Sequence, residues 1–207
     1  MALPPKSLSS DATEFLGLLT CQGTGYCGIS LGGGMTSSLL LLAYPSGNKV
    51  LTSFRWATDY APPAVYTGDA KLTQVSSTVN STHYSVLFRC QNCLSWTQGG
   101  ETGAAPTSVG FLVLGWAHSN TAPSNGACAD TARVGIHSSQ GMFGAEVTED
   151  MEKPLYSEWA AKATDSSGSG ICGTLPVVTT SAVMLPSPTS VPVTPVGCGR
   201  RRRALPR

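Results

Sequence analysis

The sequence predicts an all-β domain. Charged residues make up only 12% of the 207 residues, whereas the chain contains 23 glycines and 14 prolines. Aromatic and β-branched residues recur in short runs separated by glycine, proline and polar residues, which is the pattern of strands joined by turns. A chain of this length is expected to hold one domain with additional segments, and it can bury an ordinary core.

The formal net charge of +1 conceals a mildly acidic body. Five of the 13 basic residues are the C-terminal Arg200, Arg201, Arg202, Arg203 and Arg207, so the rest of the chain holds eight basic residues against 12 acidic ones. Nucleic-acid binding needs a basic face with interspersed aromatic side chains. The body of the chain has no such run, and we do not expect nucleic acid as a partner.

Seven cysteines, several at short spacings, and a glycosylation sequon at Asn80 indicate an oxidising, secretory environment. We expect that the signal peptide is missing from this sequence, because the first residues lack an apolar core and residues 15–19 are too short and include Gly17. No apolar stretch is long enough to span a membrane. We expect a secreted, extracellular parent protein, of which this chain is a mature fragment or an incomplete gene product.

The first half of the chain predicts a strand followed by a hairpin. Residues 11–20 are expected to form a strand that leads into Cys21, and the loop from there to Cys27 is short enough for a disulfide to close. Residues 39–43 are apolar without a break, which predicts a strand covered on both faces. After a turn of Pro, Ser, Gly and Asn, the alternation over residues 49–56 predicts the second strand of the hairpin.

Two more strands are predicted at residues 70–79 and 83–90, with the sequon in the turn between them. Residues 59–68 hold two prolines and two tyrosines and are expected to lead irregularly into this pair. Cys90 and Cys93 form a C-x-x-C motif, but no second such pair or paired histidines follow at zinc spacing. A structural disulfide is therefore favoured over a zinc or redox site.

The second half of the domain is less regular. Residues 98–108 predict a polar loop and residues 109–117 a second buried strand, after which residues 118–135 form a long, weakly patterned stretch. Loops of this length are usually functional or mobile. Residues 146–162 predict a short amphipathic helix from near-helical spacing; the residues at that spacing are Met151, Leu155, Trp159 and Lys162.

The composition divides the chain into three parts. Residues 1–163 hold the predicted domain, whose N-terminus we expect to be truncated. Residues 164–199 are rich in Ser, Thr, Pro and Val and predict an extended linker. Residues 200–207 are a basic tail, for which a nucleic-acid or heparin patch, a protease site and an artefact of the gene model are the alternatives, and we favour the artefact. An odd number of cysteines leaves one unpaired or bonded to another chain, and we expect this to be Cys198.

Met35 lies between a glycine run and the buried strand that follows. Gly32, Gly33 and Gly34 have no Cβ, so the backbone can adopt positive φ and let a flat, bulky partner come close. A thioether sulfur is a soft ligand suited to copper or haem iron. The alternative is that Met35 only fills a gap in the core.

A second ligand would come from one of three histidines. His83 adjoins the sequon and is expected at the surface, and His118 is expected to be an edge histidine with its own hydrogen bond. His137 is the preferred partner of Met35, because small residues and glycines flank it. These are Ser138, Ser139, Gly141 and Gly144.

Several motifs occur in a specific order: Gly32-Gly33-Gly34-Met35 before the leucine run, Ser53-Phe-Arg-Trp-Ala-Thr-Asp-Tyr60, Tyr66-Thr-Gly68, Asn80-Ser-Thr-His83 and Phe88-Arg-Cys-Gln-Asn-Cys93. In these motifs the chain resembles the cytochrome domain of fungal cellobiose dehydrogenase, an iron reductase domain, over about residues 11–159.

The resemblance implies an antiparallel β-sandwich, immunoglobulin-like or DOMON-like, with a pocket for haem b. Met35 matches the family's methionine in a Gly-Gly-x-Met motif, and His137 matches its histidine, so the two are the implied axial ligands of the haem iron. Met142 departs from the family, which has an aromatic residue there. The other residues implied beside the cofactor are Gly33, Gly34 and Tyr60.

The resemblance also implies a function in lignocellulose degradation. Iron held by Met and His has no open position for substrate, so such a domain transfers single electrons. The implied donor is a flavin dehydrogenase domain, in cis or in trans, and the implied acceptors are copper polysaccharide monooxygenases, ferric iron or quinones. This chain contains no flavin domain and is not expected to be a dehydrogenase by itself.

Three alternatives stay open at this point. A secreted sandwich without cofactor could bind carbohydrate, in which case its aromatic platform would be Trp56, Tyr60, Tyr66 and Trp96. A structural surface module would use its cysteines and glycines for folding alone. A haem domain joined to a membrane cytochrome is the third.

Overall fold

A computed structural model of the chain describes residues 1–165. The strands are β1 Phe15–Gln22, β2 Tyr26–Ser30, β3 Leu40–Ser46, β4 Lys49–Trp56, β5 Ala64–Val65, β6 Lys71–Val79, β7 His83–Gln91, β8 Ser95–Gln98, β9 Glu101–Ala104, β10 Phe111–Ser119 and β11 Ser139–Glu146. Two short 3₁₀ helices, Thr107–Val109 and Glu149–Met151, and one α-helix, α1 Tyr156–Ala160, complete the regular structure of this part of the chain.

The strands form two main antiparallel sheets. The smaller sheet has the order β1-β7-β6, and the larger sheet has the order β11-β10-β2-β3-β4-β5. Strands β8 and β9 form a separate two-stranded hairpin. The predicted all-β, antiparallel sandwich is confirmed.

The main core lies between the two sheets. In β7, alternate residues are buried, because one face of this strand is turned towards the larger sheet. Tyr84 and Val86 of β7 belong to the same buried cluster as Leu41 of β3, Phe54 of β4 and Leu114 of β10. The inner face of the larger sheet is therefore covered by the smaller one.

The outer face of the larger sheet carries a second buried cluster. Leu42, Tyr44 and Leu51 on this face pack against Ala129, Ala132 and Val134. These last residues belong to the chain between β10 and β11, which we call the 120–138 segment. Because this segment covers the outer face, β3 is buried on both sides, as predicted from its uninterrupted apolar run.

Both disulfides predicted from short spacings are present. Cys21–Cys27 joins β1 of the smaller sheet to β2 of the larger sheet, and Cys90–Cys93 bridges the end of β7 to the residues before β8. Cys128 is disulfide-bonded as well. The prediction for Cys198 lies outside the described residues.

Several predicted elements differ from the structure. The first strand begins at Phe15, four residues later than expected. The prediction of a polar loop at 98–108 is wrong, because Glu101–Ala104 is a strand paired with Ser95–Gln98. Hydrogen bonds to the paired strand stabilise it, although its own residues are not apolar. The second buried strand is only half-buried: Leu112 faces the core, but Phe111 on the outer face is 48% exposed.

The predicted amphipathic helix is shorter and turned relative to expectation. Only Tyr156–Ala160 is α-helical, and Tyr156 and Ala160 pack against Leu16 of β1. Leu155 and Trp159, which the spacing predicts at the core, are 50% and 36% exposed. The face predicted from the spacing, with Leu155 and Trp159, therefore lies next to the face that is buried, with Tyr156 and Ala160.

The last two described residues are still attached to the smaller sheet. Thr164 still pairs with Gln74 of β6, and Lys71 forms a 3.6 Å ion pair with Asp165. The rest of the predicted linker and the basic tail lie outside the described residues. Within residues 1–165 there is no helix long and apolar enough to span a membrane.

Candidate functional site

A cavity of about 780 Å³ opens on the outer face of the larger sheet. This lies within the range of roughly 300–1,000 Å³ that is typical of pockets for small molecules and cofactors. Its walls are mainly apolar, and its lining includes Gly28 of β2 and Ala117 of β10, a cross-strand pair whose small side chains project little from the outer face of the sheet. The cavity therefore exists because small residues occupy the strand positions beneath it.

One wall is the turn that carries Met35, between β2 and β3. Ser30 Oγ donates to the Gly34 carbonyl oxygen at 2.5 Å and lies 2.8 Å from Ser38 Oγ. The Ser38 hydroxyl oxygen also accepts the Gly32 N–H at 2.8 Å. Two serines thus fix both ends of the turn, which holds Met35 at the cavity wall.

Gly33 and Gly34 of this turn have different structural roles. Gly33 has φ +83°, and a Cβ on it would lie 3.1 Å from Val113 Cγ1 and 3.2 Å from Met142 Cε. A Cβ on Gly115 would collide with the Gly33 carbonyl oxygen, so the two backbones are in direct contact. Gly34 borders open space, since no heavy atom lies within 4 Å of the position that a Cβ would take. The expectation that the whole run clears space for a partner thus fits Gly34, whereas Gly33 serves packing.

Another wall is formed by the 120–138 segment, which carries His137. The Tyr26 hydroxyl donates to the Gly135 carbonyl oxygen at 2.6 Å, and Ser138 N–H donates to the His118 carbonyl oxygen at 2.7 Å. These bonds attach the segment to β2 and β10 on either side of His137, which lines the same cavity as Met35. His137 is therefore held by the sheet although it lies outside the strands.

The glycines that follow His137 do not clear space for a partner, contrary to expectation. A Cβ on Gly141 would lie 2.7 Å from Trp116 Nε1, and one on Gly144 would collide with the ring of Phe111. Each glycine is the cross-strand partner or diagonal neighbour of an aromatic residue of β10, and it accommodates that ring. The glycine spacing after His137 reflects strand packing.

Arg55 at the buried wall is a candidate functional residue that sequence reasoning missed. Its side chain is buried, with Nε donating to Ser53 Oγ at 2.9 Å and Nη2 donating to the Ala129 carbonyl oxygen. Burial lowers the pKa of the Arg55 guanidinium from its ordinary value, and the negative charge of Asp130 opposes this effect. The feature of the sequence that could have indicated this role is a charged residue between Phe54 and Trp56 in a chain with few charges.

The rim of the cavity includes Tyr60, whose ring is 88% exposed. The other three rings of the hypothetical carbohydrate platform are buried: Trp56 is 4%, Tyr66 8% and Trp96 5% exposed. Trp56 and Tyr66 contact each other inside the protein, with ring centroids 6.1 Å apart. The aromatic platform is therefore wrong, because only one of its members can reach a sugar.

The remaining predicted residues lie away from the cavity. His83 is exposed and its Nδ1 lies 2.9 Å from Thr82 Oγ1, and His118 Nε2 lies 3.0 Å from the Gln22 carbonyl oxygen. Asn80 is exposed in the turn between β6 and β7, where its Oδ1 accepts the His83 N–H at 2.8 Å. By contrast, all five residues predicted beside a cofactor line this cavity: Met35, His137, Gly33, Gly34 and Tyr60.

The cavity fits a haem group on three grounds. It is large and mainly apolar, it is open towards solvent at its rim, and its lining contains both a thioether and an imidazole, which are common axial ligands of haem iron. A β-sandwich with such a cavity on an outer sheet face defines a class of haem-binding electron-transfer domains.

The particular family follows from comparison with known proteins. Residues 1–158 match the family described as the cytochrome domain of cellobiose dehydrogenase, and the chain belongs to this family. Haem b is the cofactor of this class of domain.

Two solved structures are similar to this chain. The cytochrome domain of Myriococcum thermophilum cellobiose dehydrogenase is 50% identical with a TM-score of 0.78, over 80% of this chain and 82% of that one. The cytochrome b domain of pyranose dehydrogenase from Coprinopsis cinerea is 34% identical with a TM-score of 0.67, over 81% and 84% of the two chains.

A curated relative is much longer than the matched region. The pyrroloquinoline quinone-dependent pyranose dehydrogenase of Coprinopsis cinerea is 42% identical over 122 residues. The match covers 58% of this chain but only 16% of the relative. In that protein, a domain of this kind is therefore a small part of a larger enzyme.

Proposed function

We propose that this domain holds haem b between Met35 and His137 and relays single electrons from a sugar dehydrogenase to an external acceptor. The main support is that Met35 and His137 line the same cavity, although they are more than a hundred residues apart in the sequence. Two ligand types of haem iron from distant parts of the chain thus meet at one place.

When bound, haem supplies a one-electron couple between ferric and ferrous iron. Met35 would contribute a soft sulfur ligand, which favours the ferrous state and raises the reduction potential. His137 would contribute an imidazole nitrogen. If Met35 and His137 both bind the iron, no position would be left for a substrate, which would restrict the domain to electron transfer.

Hydrogen bonds within the protein hold the backbone around Met35 and around His137 in place. The serine-bonded turn fixes the backbone around Met35, and the Tyr26 and Ser138 hydrogen bonds fix the backbone around His137. Rigid ligands would reduce the structural change that accompanies a change of redox state, and the apolar lining would limit the access of water to a bound haem.

The electron donor in this proposal is a dehydrogenase, in cis or in trans. The family is named after cellobiose dehydrogenase, and the relative from Coprinopsis cinerea is quinone-dependent. The donor cofactor is therefore either flavin, as the resemblance implies, or pyrroloquinoline quinone. Copper polysaccharide monooxygenases, ferric iron and quinones are the proposed acceptors, in an extracellular setting and with a glycan on the exposed Asn80.

The test is the visible spectrum of the secreted, haem-replete chain, oxidised and then reduced with dithionite. We expect a low-spin b-type spectrum in the wild type and its loss or conversion to a high-spin form in Met35→Ala and in His137→Ala. His83→Ala and Met151→Leu are the matched controls, because neither residue lines the cavity, and both should keep the wild-type spectrum.

Two results would contradict the proposal. A colourless wild type would remove the haem function and favour a domain without cofactor. A b-type spectrum that survives either ligand substitution unchanged would assign that axial position to another residue.

A further inference from the structure

The cavity contains one permanent charge at its buried wall. Among the cavity-lining side chains of residues 1–165, Arg55 alone carries a permanent charge. It lies near the end of β4, opposite Leu40 of β3 and Val65 of β5, with a side chain that is 4% exposed. Because the medium between this cation and the cavity is protein of low dielectric constant, water screens its electric field in the cavity only weakly.

Within residues 1–165, this arginine has no carboxylate partner at ion-pair distance. The ion pairs of the described residues are Lys71–Asp165 and Arg89–Glu14. The acceptors of Arg55 are neutral: Ser53 Oγ and the Ala129 carbonyl oxygen. Asp130, the acidic residue that influences it, is exposed. Burial of a charge without a close counter-ion is costly, so its presence in a chain with few charges calls for a compensating role.

We infer that Arg55 supplies the haem site with a fixed positive charge, and that this charge raises the reduction potential of the haem. This inference rests on the proposed function. Ferrous haem carries one positive charge less than ferric haem, so a nearby fixed cation stabilises the reduced form relative to the oxidised form. In a buried environment the interaction is weakly screened and acts over a longer distance than at the surface.

The hydrogen bonds of Arg55 keep this charge in place. Because Ser53 holds Nε and Ala129 holds Nη2, the guanidinium cannot turn away to solvent. The Ala129 carbonyl belongs to the 120–138 segment, so the same contact ties the segment of His137 to β4. Arg55 therefore both supplies a positive charge and attaches the 120–138 segment to β4. The test variants have to separate these two roles.

The test is a spectroelectrochemical titration of the haem-loaded full chain. Arg55→Gln, which removes the charge, should lower the midpoint potential by about 59 mV or more, which is a tenfold change in the ferrous-to-ferric ratio of a one-electron couple. Arg55→Lys keeps the charge and should lower it clearly less. Arg89→Gln removes the same charge from the smaller sheet and is the matched control, for which we expect a potential close to that of the wild type.

Arg55→Met provides a second test of the same sign. It removes the charge and places apolar atoms at the buried wall instead of an amide that needs hydrogen-bond partners, so it should fold, and it should lower the midpoint potential as Arg55→Gln does. It decides the matter if Arg55→Gln does not fold.

The visible spectrum separates this inference from the proposed function. If the wild type shows no b-type spectrum, the proposed function fails. If Arg55→Gln keeps a low-spin spectrum and an unchanged potential, or if Arg55→Lys and Arg55→Gln lower the potential equally, the electrostatic role of Arg55 is overturned while the haem site stands. An unchanged potential in Arg55→Met would likewise count against it.

Discussion

Among single residues, Gly33 and Gly34 are neighbours with opposite requirements. Gly33 adopts φ +83°, and a Cβ on it would meet Val113 and Met142, whereas Gly34 has free space where a Cβ would point. The first glycine is needed for backbone conformation, the second only for openness at the cavity. This difference cannot be read from the sequence Gly-Gly-Gly.

We predict that Gly33→Ala lowers the free energy of unfolding by about 1–2 kcal/mol, because an L-residue in the left-handed region is strained. Gly34→Ala should leave it unchanged or raise it by up to about 1 kcal/mol, since alanine restricts the unfolded chain. Urea unfolding of the haem-free chain measures both. Equal effects of the two substitutions would contradict the inference that the two glycines have different requirements.

Among the elements, the 120–138 segment is the part of the chain that completes the site. It contains little regular structure; Ser124 and Arg133 form an isolated bridge, with backbone N to O distances of 2.9 and 2.8 Å. Its apolar side chains, Ala129, Ala132 and Val134, pack on the sheet. The hydrogen bond from Tyr26 attaches this segment to β2 two residues before His137.

We predict that Tyr26→Phe costs about 1 kcal/mol of stability, as is typical for the loss of one internal hydrogen bond, and that it speeds both haem dissociation and amide hydrogen exchange in residues 130–138. Tyr84→Phe is the matched control. It removes a bond of 3.0 Å to the Ala43 carbonyl oxygen inside the main core, away from this segment.

The control should lose similar stability but keep the haem dissociation rate of the wild type. If both variants lose haem at the same rate, global stability governs retention of the cofactor, and the Tyr26 contact has no local role.

Across the domain as a whole, the N-terminal residues are attached to the residues that follow the last strand. Leu3 is fully buried, and it pairs with Glu152. The Glu152 carboxylate accepts the N–H groups of Lys6 and Leu8, both at 2.9 Å. These hydrogen bonds, first that of Leu8 and then that of Lys6, lower the pKa of Glu152 below its ordinary value.

The direction of the pH dependence follows from this lowered pKa. The unfolded chain binds the Glu152 proton more readily than the folded one, so this contribution to stability is fully present above the ordinary pKa of 4.5 and is lost as the pH falls through the folded pKa. We predict that Glu152→Gln reduces the acid-induced loss of stability below about pH 4.5, measured by thermal unfolding from pH 3 to pH 7.

Glu149→Gln, in the adjacent 3₁₀ helix but without these two hydrogen bonds, should keep the wild-type pH profile. A pH profile of Glu152→Gln that is parallel to the wild type would mean that other carboxylates control acid unfolding.

Local patterns in the sequence are sufficient to predict several elements. The β3–β4 hairpin follows from an apolar run, a turn and an alternating strand, and the two short-range disulfides follow from cysteines three and six residues apart. The motif around Met35 and the motifs after it are sufficient for the family. In each case the interacting residues are neighbours in the chain, so their pattern is visible in one stretch.

Contacts between distant parts of the chain emerge only from the folded structure. Gly115 faces the Gly33 carbonyl, Arg55 is buried beneath Ala129, and the rings of Trp116 and Phe111 occupy the space beside Gly141 and Gly144. The same applies to β9 and to the buried face of α1. Burial of a side chain depends on what is packed above it, and for Arg55 that cover comes from a segment more than seventy residues away in the sequence, whose position no local pattern encodes.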